Sequence, residues 1–133
     1  MIDSTYYLIT PHSRFYFGGN LKMDRLPIAS GSFYPGNKEE LAGVLKALMA
    51  DIPEKQRVLG AISPHAGYVY SGNVMGSVFS RIEAPDTVVI LAPNHTGSGA
   101  PYSIWPEGRW ITPLGETSTD EELVNEILNS CEL

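Results

Sequence analysis

The sequence is poor in cysteine and in positive charge. Cys131 is the single cysteine among 133 residues, which excludes a disulfide within the chain, and we expect a reducing, cytoplasmic location. Nine lysine and arginine residues stand against fifteen aspartate and glutamate residues, for a formal net charge of −6. Because binding to a phosphate backbone needs a basic surface, this charge argues against nucleic acid as the main partner.

Long apolar runs are also lacking. No stretch approaches the roughly 20 consecutive apolar residues of a membrane span, so we expect no membrane partner. The first residues, MIDSTYYLITPHSRFYFGG, do not combine a basic end with an apolar run and therefore do not resemble a secretory signal. The chain length suits one modest domain with a core of its own.

Residues 1–22 are rich in aromatic side chains but follow neither the helical period nor the strand period. Gly18, Gly19 and Asn20 form a turn or linker signal just before Met23. We interpret 1–22 as an N-terminal extension, which is either absent from the natural protein or an arm that packs on its surface. Residues 23–133 are then the N-terminal part of an α/β domain.

The middle of the chain predicts a strand, a helix and a second strand. RVLGAIS at 57–63 is a short apolar strand, and SGNVMGSVFSRI at 71–82 is a helix that Ser71 caps. DTVVILAP at 86–93 is a nearly continuous β-branched run, typical of a strand buried on both faces. This order is that of the parallel unit in α/β folds, and two strands indicate the opening of a larger sheet.

Two further helices flank this unit. KEELAGVLKALMADI carries an apolar stripe after the capping residue Asn37, and Pro53 ends that helix. STDEELVNEILNSC predicts a helix capped by Ser118 or Thr119. The stretch 103–115 between the second strand and this last helix is expected to be extended and irregular.

A histidine follows each predicted strand: His65 in ISPHAGYVYSG and His95 in LAPNHTGSG. The carboxyl ends of parallel strands share one rim of a sheet, so both imidazoles are expected to reach one point, as metal ligands do. Two other roles stay open. A strand-end histidine also structures loops by hydrogen bonding, and histidine is a general acid or base near neutral pH.

Two histidines do not make a complete metal site, because catalytic zinc takes three protein ligands and non-haem iron takes two histidines and a carboxylate. Glu116, Asp120 and Cys131 are third ligands by chemistry alone. The two acids are more simply helix charges, and His12 lies in the extension.

Of the tyrosines in ISPHAGYVYSG, one is expected in the core while the other offers its hydroxyl to a ligand. Asn94 is either a ligand-binding amide or a turn former.

Four motifs in order give the sequence a familiar form: ASGSFYPG at 29–36, SPHAGYVYSG, LAPNHTG, and Trp110 followed by ITPLG. With an Asp-led helix after them, they resemble the MEMO family, also named protein B of the AmmeMemoRadiSam system, over about 24–130. Members of that family are about twice as long. The resemblance therefore implies the N-terminal half of such a protein, as a truncated chain, a gene fragment or one piece of a split protein, without the further histidine and cysteine of the family's C-terminal half.

The resemblance implies a three-layer α/β/α sandwich of the extradiol dioxygenase-like type, distantly similar to class III extradiol dioxygenases, with non-haem iron or copper at the strand ends. It makes His65 and His95 metal ligands, and Phe33 and Tyr70 pocket-lining residues beside Asn94. It leaves the catalytic residues and the family's activity unassigned. It also implies association with radical-SAM and AMMECR1-like proteins.

Three interpretations follow. The first is a redox-related metal domain with weak metal affinity and no robust turnover by this chain alone. The second is a non-enzymatic module whose pocket binds a peptide or protein. The third is an inactive fragment with an exposed sheet edge, which is prone to oligomerisation.

Overall fold

The computed structural model describes residues 24–95, 97 and 102–131. The predicted extension, 1–22, lies outside these residues. The elements in chain order are α1 (Lys38–Leu48), α2 (Tyr68–Phe79), β1 (Arg109–Thr112), β2 (Gly115–Ser118) and α3 (Glu121–Ser130). None of the described helices has the length and apolar content of a membrane span.

The chain divides into two compact units. The helical unit is Pro27–Val88 with Thr112–Gly115 and contains α1 and α2. The hairpin unit comprises the described parts of Met1–Leu26, Val89–Ile111 and Glu116–Leu133, and contains α3 with most of the β-hairpin.

Helix α1 begins as the sequence predicts. The side-chain oxygen of Asn37 accepts a hydrogen bond from the backbone N–H of Glu40 at 2.8 Å, and its amide donates to the Glu40 carboxylate at 2.9 Å. This reciprocal pair satisfies an N-terminal donor that the helix leaves without a partner. The helix ends at Leu48, well before Pro53.

The early end of α1 has a tertiary cause. The backbone N–H of Ala50 donates to the Ser80 hydroxyl at 2.8 Å, which draws the chain away from the helix axis. Ser80 is fully buried and donates in turn to the carbonyl of Gly76. One side chain thus joins the segment after α1 to the last turn of α2.

Helix α2 begins three residues before the predicted cap, so the assignment of Ser71 as N-cap is wrong. The capping position is Gly67, which has no side chain to offer, and the Tyr68 N–H donates to the Phe33 carbonyl at 2.8 Å. Ser71 lies inside the helix, and its hydroxyl donates to the Ala66 carbonyl at 2.8 Å. A distant backbone group replaces the local cap.

Two glycines let α1 and α2 approach closely. A Cβ atom at Gly72 would lie 2.8 Å from the Leu48 Cδ1 atom. A Cβ atom at Gly76 would overlap the backbone carbonyl of Leu48. Because real Cβ contacts are not this short, a Cβ atom at Gly72 would displace the end of the Leu48 side chain, and a Cβ atom at Gly76 would displace the Leu48 backbone.

The two predicted parallel strands do not form. Residues 57–63 and 86–93 are outside any strand, and an isolated parallel bridge joins Gln56 to Ile82 beside them. A strand is stable only beside partner strands, and neither segment has a neighbour in the described chain to pair with. The described residues therefore show helices and one two-stranded sheet, and the three-layer sandwich stays a prediction.

Strand β1 lies in the stretch 103–115 that the sequence predicted to be extended and irregular, and β2 continues past it to Ser118. Strands β1 and β2 form a hairpin. At its turn, the Thr112 hydroxyl accepts from the Leu114 N–H at 3.2 Å and donates to the Gly115 carbonyl at 2.9 Å. Gly115 has a φ of +146°, a conformation that favours glycine. The TPLG motif is thus a hairpin turn.

Arg109 holds the hairpin to the chain's first described residues. Its guanidinium donates to Asp24 at 2.7 Å and to Glu116, across the hairpin, at 2.8 Å. The hydrogen bonds with Asp24, followed by those with Glu116, raise the pKa of Arg109. Beside this network the Arg25 guanidinium lies 4.2 Å from the centroid of the Trp110 ring.

Helix α3 is capped by Asp120, and the prediction of Ser118 or Thr119 is wrong. The Asp120 carboxylate accepts from the Leu123 N–H at 3.0 Å. Ser118 is the last residue of β2, and the Thr119 N–H donates to the Gly108 carbonyl at 2.9 Å. Pairing of the hairpin therefore moves the helix start past both residues.

The loop 29–36 lies against the start of α2, and its Tyr34 ring contacts the Tyr68 ring with 5.7 Å between centroids. Burial, and then the charge of a neighbouring Tyr34 phenolate, raise the pKa of Tyr68. The folded protein therefore holds the Tyr68 proton to a higher pH than the unfolded chain does.

Substitution of Gly76 by alanine is expected to lower the free energy of unfolding by about 1–3 kcal/mol, because the new methyl group displaces the Leu48 backbone. The matched control is Gly43→Ala in α1, where a Cβ atom meets nothing within 4 Å. That change is expected to stabilise by roughly 0.5–1 kcal/mol through helix propensity. Urea unfolding measures both, and stabilisation by both variants would contradict the close approach.

The raised pKa of Tyr68 predicts a loss of stability in alkali. The unfolded tyrosine releases its proton near its usual pKa of about 10, whereas the folded one keeps it, so the free energy of unfolding falls as pH rises above about 10. Tyr68→Phe removes this part of the fall. Urea unfolding from pH 8 to 11 should show a shallower slope for the variant; parallel slopes would refute the prediction.

Candidate functional site

The N-terminal end of α2 gathers three of the residues that the sequence singled out. The loop before α1 turns tightly, since the Ala29 carbonyl accepts from the Phe33 N–H at 2.9 Å and Gly31 has a φ of +79°. The Phe33 carbonyl then receives the first N–H of α2. His65 stands just before that helix, and Tyr70 lies in its first turn.

These three side chains are open to solvent. Phe33 is 43% exposed and Tyr70 is 87% exposed, and His65 is also exposed. The nearby Tyr68 is half-buried, so it is the tyrosine that packs, while Tyr70 presents its hydroxyl outward. Phe33, His65 and Tyr70 are thus exposed residues of the helical unit at or near the start of α2, and we call this set the α2 surface.

An apolar depression lies between α1 and α2. It is lined by Leu45, Leu48, Met49, Tyr68, Gly72, Met75, Gly76 and Phe79. None of the predicted pocket residues belongs to it. Tyr68 is its single titratable side chain, and no histidine or carboxylate lines it.

His95 and Asn94 belong to the hairpin unit. The Asn94 amide oxygen accepts a hydrogen bond from the Gly97 N–H at 3.1 Å, and Gly97 has a φ of +67°. This is the turn-forming role that the sequence left open for Asn94. His95 is exposed beside it.

Each residue considered as a third metal ligand has a different place in the structure. Glu116 pairs with Arg109 at 2.8 Å, Asp120 caps α3, and Cys131 is exposed at the C-cap of that helix. Within the described residues, no group of three or more histidine, cysteine, aspartate or glutamate side chains is placed to hold a metal ion. His12 lies outside those residues.

The donor set of the described chain therefore does not fit a complete iron or copper site. It offers two imidazoles, His65 in the helical unit and His95 in the hairpin unit. Non-haem iron needs a carboxylate besides two histidines. A metal centre that uses these histidines needs a donor from outside the described residues.

Sequence reasoning missed two features that shape these surfaces. The Phe33 carbonyl as cap of α2 leaves no local signal, because the bond joins residues far apart in the chain. The Arg109 network had a faint signal in the alternation of RWIT and GETS around the TPLG turn. Both features order the backbone and carry no reacting group.

Comparison with known proteins identifies the same family as the four sequence motifs. The family described as Memo-like protein matches residues 25–133. A MEMO1 family protein of Thermotoga neapolitana is 46% identical over 123 residues, with 81% of this chain and 44% of the relative covered. MEMO1 family protein TK1477 of Thermococcus kodakarensis is 44% identical over 111 residues, with 79% and 38% covered.

A MEMO1 family protein of Aquifex aeolicus is 45% identical over 105 residues, with 78% of this chain and 39% of the relative covered. The chain thus spans less than half the length of these curated relatives. No solved structure matches it. The four motifs, the family match and the identities agree, and the chain belongs to the MEMO family.

Proposed function

We propose that this chain provides the two-histidine part of a non-haem iron or copper site in a MEMO-family domain of the extradiol dioxygenase-like, three-layer type. One observation carries the proposal. His65 and His95 each follow an apolar run and a proline, and both are exposed within the family-matched region. A histidine repeated after two runs that the sequence predicts as neighbouring parallel strands suits two ligands on one rim of a sheet.

The incomplete donor set is consistent with this proposal because the chain covers only 38% to 44% of its curated relatives. The unmatched length is where the remaining donor is expected. When bound, the metal would supply Lewis-acid or redox chemistry. The chain's own part is to hold the ion through two neutral imidazoles.

In this proposal the α2 surface contacts the ligand. His65 precedes α2, Tyr70 lies in its first turn and the Phe33 carbonyl accepts from its first N–H, so in this proposal an aromatic ring and a phenol line the pocket beside that imidazole. Tyr70 is the positioning residue, through its exposed hydroxyl. Asn94, engaged in its turn, holds the His95 loop in shape.

Location and partners extend the proposal beyond the described chain. A single cysteine suits the reducing cytoplasm, where we place the protein. Association with radical-SAM and AMMECR1-like proteins follows from the family resemblance alone. Robust turnover is not expected from these residues by themselves, since the donor set is incomplete.

A second function is favoured by a different observation. Phe33 and Tyr70 are both exposed, and exposed aromatic side chains are typical anchors of peptide and protein interfaces. In that case the histidines are polar contacts without metal. Binding of a partner peptide that survives chelation and His65→Ala would select this function over the metal site.

Metal binding is tested on anaerobically purified protein by equilibrium dialysis against Fe(II). The chain is expected to bind about one ion with weak affinity, because two imidazoles alone hold it. The double variant His65→Ala/His95→Ala should lose at least tenfold in affinity. His12→Ala, which removes the third histidine, is the matched control and should bind like the parent.

Two results would refute the metal site. One is equal Fe(II) binding by the parent and the double variant, which would place the ion elsewhere. The other is no binding by the parent even when the polypeptide equivalent to the relatives' unmatched length is joined to it. Turnover of a catechol by the isolated chain would overturn the expectation that this part is inactive alone.

A further inference from the structure

Ser71 is a buried polar residue that takes no part in the candidate site. It is 5% exposed and lies near the start of α2. Its hydroxyl donates to the Ala66 carbonyl at 2.8 Å and lies farther, 3.4 Å, from the Gly67 carbonyl. The sequence predicted Ser71 as a helix cap. Inside the helix it has a different partner, on the residue directly after His65.

The choice of acceptor distinguishes Ser71 from two other serines of the helices. A serine in a helix ordinarily donates to the carbonyl four residues before it. Ser80 donates in this way to Gly76, and Ser130 donates to Glu126 at 2.7 Å. Ser71 reaches one residue further, to a carbonyl that precedes its helix. The bond therefore holds the chain that leads into α2.

The residues on both sides of His65 have restricted backbones. The ring of Pro64, directly before it, keeps φ near about −65°. Directly after it, the Ala66 carbonyl is held by Ser71. Because a side chain leaves the backbone at Cα, restriction of both neighbours limits the positions that the His65 imidazole reaches. His65 is exposed, so burial contributes little to this restriction.

A second contact holds the same turn. The Tyr68 N–H donates to the Phe33 carbonyl at 2.8 Å. A Cβ atom at Gly67 would lie 3.3 Å from that carbonyl oxygen, so the two backbones approach closely there. Residues 66–68 are thus held by a side chain of α2 and by the loop before α1. Loss of the Ser71 hydroxyl removes one of these two supports.

We propose that Ser71 is a positioning residue for His65: its hydroxyl holds the Ala66 carbonyl, so that the imidazole is already in place at the start of α2 before a ligand binds. A ligand then loses less affinity to the ordering of the histidine. This gain in affinity rests on the proposed function, in which His65 contacts the ligand. The hold of Ser71 on the backbone does not rest on it.

The test compares Ser71→Ala with Ser80→Ala in the full chain. Both changes remove a buried serine hydroxyl at α2, but Ser80 lies at the other end of the helix. Backbone order parameters are measured by NMR relaxation in EDTA. In the parent and in Ser80→Ala, residues 65–67 are expected to have values of about 0.85, as in rigid backbone. In Ser71→Ala they should fall below about 0.6.

Fe(II) affinity, measured by equilibrium dialysis, separates positioning from a purely structural role. Ser71→Ala is expected to bind Fe(II) about tenfold more weakly, as when a residue that orients a metal ligand is removed. Ser80→Ala should bind like the parent, although it also loses a buried hydrogen bond. Ser71→Thr keeps the hydroxyl and should keep both the order of 65–67 and the affinity. Circular dichroism checks folding, and comparison of Ser71→Ala with either folded control decides the question.

Three outcomes overturn the proposal. The first is unchanged order of 65–67 in folded Ser71→Ala. The second is equal disorder there in Ser80→Ala, or in folded Ser71→Thr, which would assign the effect to something other than the Ser71 hydroxyl. The third is disorder in Ser71→Ala with the Fe(II) affinity of the parent, in which case the positioning fails while the metal site stands. A parent that binds no Fe(II), with 65–67 disordered only in Ser71→Ala, would count against the metal site and support the hold of Ser71 on the backbone beside His65.

Discussion

The close approach of α1 and α2 is the contact on which the helical unit depends. Gly72 and Gly76 offer no side chain, so the backbone and side chain of Leu48 lie directly against α2. Ser80 then fixes the distance by accepting from the Ala50 N–H and donating to the Gly76 carbonyl. Because these groups are backbone atoms and one small buried hydroxyl, the geometry tolerates little change. The position of α2, and with it the α2 surface, follows from this contact.

In the rest of the described chain, secondary structure depends on whether a strand finds a neighbouring strand. A helix satisfies its own backbone hydrogen bonds, so α1, α2 and α3 form in this chain. A strand satisfies them only through a neighbouring strand, so the β-hairpin forms, while 57–63 and 86–91 belong to no strand of the described chain. His65 and His95 follow those two runs in the sequence. The chain covers less than half the length of the relatives that it matches.

Local features of the fold were predictable where the interaction is local. The Asn37 cap of α1 and the alternatives for Asn94 can be read from neighbouring residues, because the bonds span three positions. The cap of α3 was misplaced because β2 extends through Ser118, which a local pattern does not show. The prediction of Ser71 as the cap of α2 was wrong for a related reason. The Phe33 carbonyl accepts the first N–H of α2, and Phe33 precedes α1 in the chain.

The sequence by itself determined the family, the helical segments and the identity of the residues at issue, because motifs and periodicity are properties of neighbouring residues. Tertiary structure alone decided where α2 begins, where α1 ends and which tyrosine packs, because those depend on Phe33, Ser80 and Tyr34 arriving from elsewhere in the chain. It also decided that two strand-like runs stay exposed. Apolar composition states that a segment needs cover, and only the folded chain shows whether a partner is there to provide it.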